Sequence, residues 1–168
     1  ALGKLSTNGV EFVFKPQRSM NRLNLGLVVD KNNNLWVGTD DGVKLWRDGK
    51  LVAPNLGSLN GKPMQALTRA RDGAVWGYYH GQLWKMTAGK ILDQIAAPEP
   101  ASDVADMLEA SDGRFWINYV EGTPFCREPA SSNWMEMPKA DFRGLNRVLY
   151  EDHEQNIWRG AFEVGMKP

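Results

Sequence analysis

A tryptophan recurs at positions 36, 76, 116 and 158, in steps of 40, 40 and 42 residues, and its surroundings recur with it. The copies run Asp30-Lys31-Asn32-Asn33-Asn34-Leu35-Trp36-Val37 and Ala70-Arg71-Asp72-Gly73-Ala74-Val75-Trp76-Gly77, then Ala110-Ser111-Asp112-Gly113-Arg114-Phe115-Trp116-Ile117 and Asp152-His153-Glu154-Gln155-Asn156-Ile157-Trp158-Arg159. An apolar residue precedes each Trp, a polar turn precedes that, and a second apolar residue stands nine positions before it (Leu27, Leu67, Met107, Leu149). A fixed period near 40 with this shape is the signature of a repeat architecture, and of a β-propeller in particular.

The first unit shows what one period builds. Leu25–Val29 is a short apolar run, Asp30–Asn34 a turn, and Leu35–Gly38 a second run. Asp40-Asp41-Gly42 turns the chain into Val43–Arg47, and Asp48-Gly49 turns it again into Lys50–Ala53. Asp-Gly between alternating apolar residues is a strong short-range hairpin signal. Four short strands joined by tight turns, with no helical period, make one propeller blade. Stacked blades bury both faces of each sheet, so apolar residues are expected on both parities of a strand. A Trp at one position of every blade (Trp36, Trp76, Trp116, Trp158) is expected to fill the wedge between sheets and give its indole N–H to a backbone carbonyl.

The reading is therefore an all-β chain, a single β-propeller domain over residues 1–168 of about four four-stranded blades. Residues 1–18 resemble the tail of a blade: Leu2-Gly3-Lys4-Leu5-Ser6-Thr7-Asn8-Gly9 parallels Gly42-Val43-Lys44-Leu45-Trp46-Arg47-Asp48-Gly49. The fourth unit stops where its third strand should start. Residues 1–18 then complete the last blade of a closed ring, removing its edges, or belong to a preceding blade of a larger propeller. Two chains sharing one larger ring is a third arrangement. In the third unit Pro124 and Pro129 lengthen the loop near Cys126 and predict an irregular outer hairpin.

Charge and composition narrow the function. Lys and Arg number 20 against 20 Asp and Glu, so there is no basic excess to neutralise phosphates, and no nucleic-acid partner is expected. No run of 18 apolar residues spans a membrane, and a lone Cys126 forms no internal disulfide. His80 and His153 lack ligand spacing, so no metal and no cofactor is expected. Asp30-x-Asn32-x-Asn34 begins like a calcium loop, but Leu35 and Asp41 stand where the glycine and distal glutamate belong. Asp30, Asp40, Asp41 and Asp152 are read as turn residues bonding their own backbone. Glu109 and Glu151 share a register seven residues before their tryptophans, which suits solvated or salt-bridged strand positions better than an acid–base pair. No nucleophile elbow or phosphate loop is present, and no catalytic residue is expected.

The unit around Leu27–Leu45, with Leu35-Trp36-Val37-Gly38-Thr39 and Gly42, resembles the two-component regulator propeller repeat. The other units keep the Trp and the turn but lose the Gly-Thr, with Gly77-Tyr78, Asn118-Tyr119 and Gly160-Ala161 in its place. The resemblance implies a periplasmic or extracytoplasmic sensing propeller of a bacterial receptor, with the signalling modules elsewhere. The alternatives are a carbohydrate- or protein-binding propeller without signalling role, and an enzyme resembling streptogramin lyases, which needs a catalytic histidine that His80 in its turn does not supply.

Architecture places the candidate site where the loops feeding the innermost strands converge at a channel mouth. By register these residues are Arg22 and Asn24, Lys62 and Gln65, Ser102 and Asp103, and Asn146 and Arg147. They hold more cations than anions in a chain of zero net charge, which suits a carboxylated or hydroxyl-rich small molecule such as an acidic sugar. The expected partners are that ligand and either a second copy or the rest of a longer receptor chain.

Overall fold

Each tryptophan of the repeat stands on the second strand of an antiparallel sheet in the computed structural model, which describes residues 2–7, 9–14, 26–39, 41–99, 102–138 and 145–162. A first hairpin pairs β1 (Leu2–Ser6) with β2 (Gly9–Phe14). Blade one follows as β3 (Leu27–Val29), β4 (Leu35–Thr39), β5 (Gly42–Arg47) and β6 (Lys50–Val52), paired in that order. Blade two repeats it with β7 (Leu67–Arg69), β8 (Val75–Tyr79), β9 (Gln82–Thr87) and β10 (Lys90–Ala96). Blade three has β11 (Val104–Glu109), β12 (Phe115–Tyr119), β13 (Phe125–Arg127) and β14 (Met135–Glu136), the last two short as the prolines predict. A final two-stranded sheet joins β15 (Leu145–Glu151) to β16 (Ile157–Phe162). The first strands of successive units lie side by side, β3 against β7, β7 against β11 and β11 against β15. That is the arrangement of blades about an axis, and the chain is a β-propeller.

The core lies between the blades. Trp36, Leu45 and Val43 of blade one interleave with Leu67, Val75 and Met86 of blade two. Trp76, Tyr78 and Leu83 of blade two meet Met107, Phe115 and Tyr119 of blade three. Trp36 and Trp76 thus face the next blade, while Ile117, the residue after Trp116, faces the previous one. Blades approach so closely that a Cβ on Gly26 would fall 2.8 Å from the backbone nitrogen of Leu67.

The aspartate turn holds the Trp in place. Asp30 Oδ1 accepts the backbone N–H groups of Asn32 and Asn34, both at 2.9 Å, and Oδ2 accepts the Trp36 indole N–H at 2.9 Å. Asp152 repeats this with Glu154, Asn156 and Trp158. The indole partner in the first and last units is therefore a carboxylate two bonds from its own turn, not the backbone carbonyl expected. A carboxylate does both jobs because it accepts several donors at once. The Gly-Thr of the motif has a similar reason: the Thr39 hydroxyl donates into the β4–β5 turn, with Asp41 and the Gly42 carbonyl as its neighbours.

Burial raises the Asp30 carboxyl, but the hydrogen bonds from Trp36 and from Asn34 and Asn32 outweigh it and hold its pKa below 3.8. A depressed folded-state pKa contributes stability that is present above the ordinary aspartate value and lost as pH falls through the lowered one. Asp30→Asn is therefore expected to flatten the loss of stability between about pH 5 and pH 3, measured by denaturant unfolding at each pH. Asp106 has the opposite sign, since burial pushes its carboxyl up despite N–H donors from Leu149 and Met107.

Two expectations change. Trp158 is 59% exposed where Trp36 is 0% and Trp76 4%, so the wedge role fails at the fourth tryptophan. Its face of the β15–β16 sheet meets no following blade among the described residues. Leu27 is also exposed, although Leu67, Met107 and Leu149 at the same register are buried. It faces away from blade two, on the side where a preceding blade would stand. The β1–β2 hairpin and the β15–β16 sheet are separate two-stranded sheets.

Candidate ligand-binding rim

The described sequence-selected residues lie where the chain enters three first strands, with Lys62 and Gln65 before β7, Ser102 and Asp103 before β11, and Asn146 and Arg147 at the start of β15. Gln65 precedes β7 and reaches into blade three: its Nε2 donates to Asp103 Oδ1 at 3.1 Å and its Oε1 accepts the Val104 N–H at 3.2 Å. Asn146 does the same between the last sheet and blade three, its Nδ2 donating to the carbonyls of Tyr119 (2.8 Å) and Gly122 (3.1 Å). The Asn146 backbone N–H also donates to the Val120 carbonyl, and Val120 N–H to that of Asp103. Gln65, Asp103 and Asn146 are thereby brought onto one rim. Lys62, after the short 3-10 turn Gly57–Leu59, and Arg147, beside Asn146 in β15, are exposed. Arg22 and Asn24 lie outside the described residues.

The two amides were selected as ligand groups, yet each is spent on tying blades together. Asn146 is buried, with only its Oδ1 lacking a hydrogen-bond partner. What the rim presents to solvent is the Lys62 ammonium, the Arg147 guanidinium and the Asp103 carboxylate. Two tyrosines reinforce it: the Tyr78 hydroxyl donates to the Ser102 carbonyl, and the Tyr119 hydroxyl accepts the Glu99 N–H at 2.9 Å. Burial pushes both phenols above their ordinary pKa, so they stay protonated and hold Glu99 and Ser102, in the loop before β11, in place. The sequence marks these tyrosines only as residues just after the repeat Trp, and their tether to that loop depends on the blade-to-blade packing.

At the opposite end, a groove of about 350 Å³ opens between blades two and three, lined by Arg71, Trp76, Lys85, Glu109, Arg127 and Glu128 among others. Two of its charged groups are engaged with neighbours. Glu109 Oε2 accepts the Trp76 indole N–H at 2.7 Å, and Lys85 sits 5.5 Å above the Trp76 ring while pairing with Asp72 at 3.0 Å. Glu151 accepts the Ser111 backbone N–H at 2.8 Å. Neither glutamate is a solvated strand residue, and they do not confront one another. Each takes a donor from the preceding blade. Their shared register carried that signal, because their donors lie 33 and 40 residues back, about one repeat.

His80 turns β8 into β9 with a left-handed φ of 48°, and His153 is an exposed turn residue. Among the described residues no three His, Cys, Asp or Glu side chains gather as metal ligands. No helix of the described residues is long and apolar enough to cross a membrane.

Comparison with known proteins agrees with this architecture. The two component regulator propeller family matches residues 19–41, the unit in which the full Leu-Trp-Val-Gly-Thr motif survives. No curated protein matches the chain. Among solved structures, the extracellular domain of a putative hybrid two component system from B. thetaiotaomicron superposes with a TM-score of 0.66 at 17% identity, over 91% of this chain and 22% of that one. The extracellular domain of a second such system from the same organism gives 0.59 at 22% identity, over 86% and 20%. Virginiamycin B lyase from Staphylococcus aureus gives 0.60 at 14% identity, over 82% and 51%. The chain thus spans about a fifth of the two receptor domains and about half of the lyase. These likenesses concern the fold. The chain is a β-propeller that carries, at residues 19–41, a repeat of the two component regulator propeller family.

Proposed function

We propose that the chain is part of a ligand-sensing propeller in the extracytoplasmic region of a signalling receptor, and that it binds its ligand without transforming it. The observation that carries this reading is the two component regulator propeller repeat at residues 19–41. The likeness in fold to extracellular domains of hybrid two component systems supports it. The rim supports an acidic ligand: Lys62 and Arg147 are exposed cations beside the exposed Asp103 carboxylate, which can accept from hydroxyls, on a frame held by the Gln65 and Asn146 amides. An acidic sugar fits that set, since carboxylate–guanidinium pairs and sugar hydroxyls need those donors and acceptors.

The test is titration calorimetry of the chain with oligomers of galacturonate and glucuronate. Lys62→Ala and Arg147→Ala are each expected to weaken binding by roughly three- to tenfold, the worth of one charge-assisted hydrogen bond at an exposed site. Neither should lower the melting temperature appreciably, because both side chains are exposed. Binding that ignores both substitutions would place the ligand away from the rim, and no heat with any acidic oligomer would remove this ligand class. The lyase alternative has likeness of fold alone behind it, and the two histidines of the chain occupy exposed turns.

A further inference from the structure

Successive sheets meet through equivalent inner positions, and at one joint those positions are all polar. Between blades one and two they are Gly26, Gly38 and Met64. A Cβ on Gly26 would meet the Leu67 nitrogen, and one on Gly38 would stand 3.3 Å from the Gly26 nitrogen and 3.6 Å from the Met64 carbonyl oxygen. One period on, between blades two and three, they are Ala66, Tyr78 and Val104, buried in one apolar cluster. A further period on, between blade three and the β15–β16 sheet, they are Asp106, Asn118 and Asn146. The structure bears the equivalence out: Asp106 Oδ2 accepts the N–H of Leu149, the counterpart of Leu67, at 2.8 Å. Asp106 stands directly opposite Asn118 across β11 and β12, and the Asn146 amide reaches the carbonyl of Tyr119, the residue after Asn118. Asn118 is 0% exposed and Asn146 1%. Of the five buried side-chain polar atoms without a hydrogen-bond partner among the described residues, three are Asn118 Nδ2, Asn118 Oδ1 and Asn146 Oδ1, so unmet polarity gathers at this joint. Asp106 accepts the N–H groups of Leu149 and Met107, and no Lys or Arg pairs with it among the described residues.

We infer that Asp106, Asn118 and Asn146 hold a hard metal cation, calcium being the best suited, across the joint between β11–β12 and β15. An orphaned buried amide calls for a partner, and a carboxylate beside two such amide oxygens is a donor set for a cation. Calcium takes about six to eight oxygens in flexible geometry, amide and backbone carbonyls and water among them, whereas magnesium demands a near-ideal octahedron and gives up its water reluctantly. The set holds no thiolate or imidazole, which sets it against zinc and copper. With a single carboxylate, the expected Kd is about 0.1–1 mM, the range of extracellular calcium modules. A cation there neutralises the Asp106 charge and clamps β15 to blade three. The other two joints close with glycine or apolar side chains at the same positions and have no such need. The inference does not depend on the ligand-sensing reading, because β11, β12 and β15 place the three side chains whatever the rim binds.

Thermal unfolding of the chelator-treated chain, with calcium chloride as the added probe, tests this. Calcium at about 10 mM should raise the melting temperature by about 3–10 °C, and magnesium at the same concentration by much less. Asp106→Asn keeps the outline of the side chain and removes its charge, so the calcium-dependent rise should vanish. Asn118→Asp places a second carboxylate opposite the first. It should lower the melting temperature without calcium, by repulsion, and tighten calcium by about tenfold or more, since affinity follows ligand charge. A merely structural asparagine would give the loss without the gain. Terbium in calcium's place should luminesce on tryptophan excitation, and the emission should fall in Trp116→Phe, two residues from Asn118 on β12. No rise with calcium, an equal rise with magnesium, or a calcium response that survives Asp106→Asn would overturn the inference. An Asn118→Asp variant that binds calcium no more tightly than the parent would overturn it even if Asp106→Asn failed to fold.

Discussion

Replacing Trp36 by alanine is expected to destabilise the chain by about 3–5 kcal/mol, the usual cost of emptying a large aromatic core position. Trp36 is fully buried between blades one and two, so its removal opens a void lined by Leu45, Leu67 and Met86, which are held on two different sheets and cannot easily collapse. The indole also donates to Asp30, a residue 5% exposed that loses that donor in the variant. Trp36→Phe separates the two effects. It keeps most of the wedge and removes the N–H, so its loss should be about 1–3 kcal/mol, the worth of a hydrogen bond to a charged group. Urea unfolding followed by circular dichroism measures both, and a Trp36→Ala variant as stable as the parent would contradict the wedge assignment.

Gly42→Ala should cost about 2–4 kcal/mol for a backbone reason. Gly42 opens β5 with φ +112°, a conformation that side chains other than glycine's rarely adopt. A Cβ there would also stand 2.9 Å from the backbone nitrogen of Gly61, in the connection between blades one and two. Neither neighbour is the movable end of a side chain, so the two penalties add. The same unfolding experiment reads the loss, and a cost below about 0.5 kcal/mol, the range of an ordinary surface substitution, would mean the connection shifts freely.

Period and turn chemistry were legible in the sequence because both are local. The 40-residue step, the Asp-turn before each Trp and the irregular outer hairpin of blade three all follow from residues close together in the chain. The partners of those residues were not local. Trp76 finds its acceptor in Glu109 of the next blade, and Gln65 and Asn146 use their amides on blade three, which a reading of single units cannot see. Four equivalent tryptophans in sequence became unequal in space, since burial depends on whether a following sheet exists. Trp158 differs from Trp36 in its neighbour and not in its own surroundings. Asn118, fully buried with neither amide atom hydrogen-bonded, occupies the position of Gly38 and Tyr78, and nothing in the repeat pattern announced it.

Packing in which each blade meets only the blades beside it has a consequence for how the chain comes apart. Stability in such an array is close to a sum of nearest-neighbour terms. Blade two is the unit with a dense apolar cluster on each face, one shared with blade one and one with blade three. The end hairpins β1–β2 and β15–β16 are held on fewer sides, so local opening starts there and moves inward. Amide hydrogens would then exchange in a gradient along the chain, fastest at its two ends and slowest in β8 and β9, with the aspartate-clasped tryptophans marking how far the fraying has travelled.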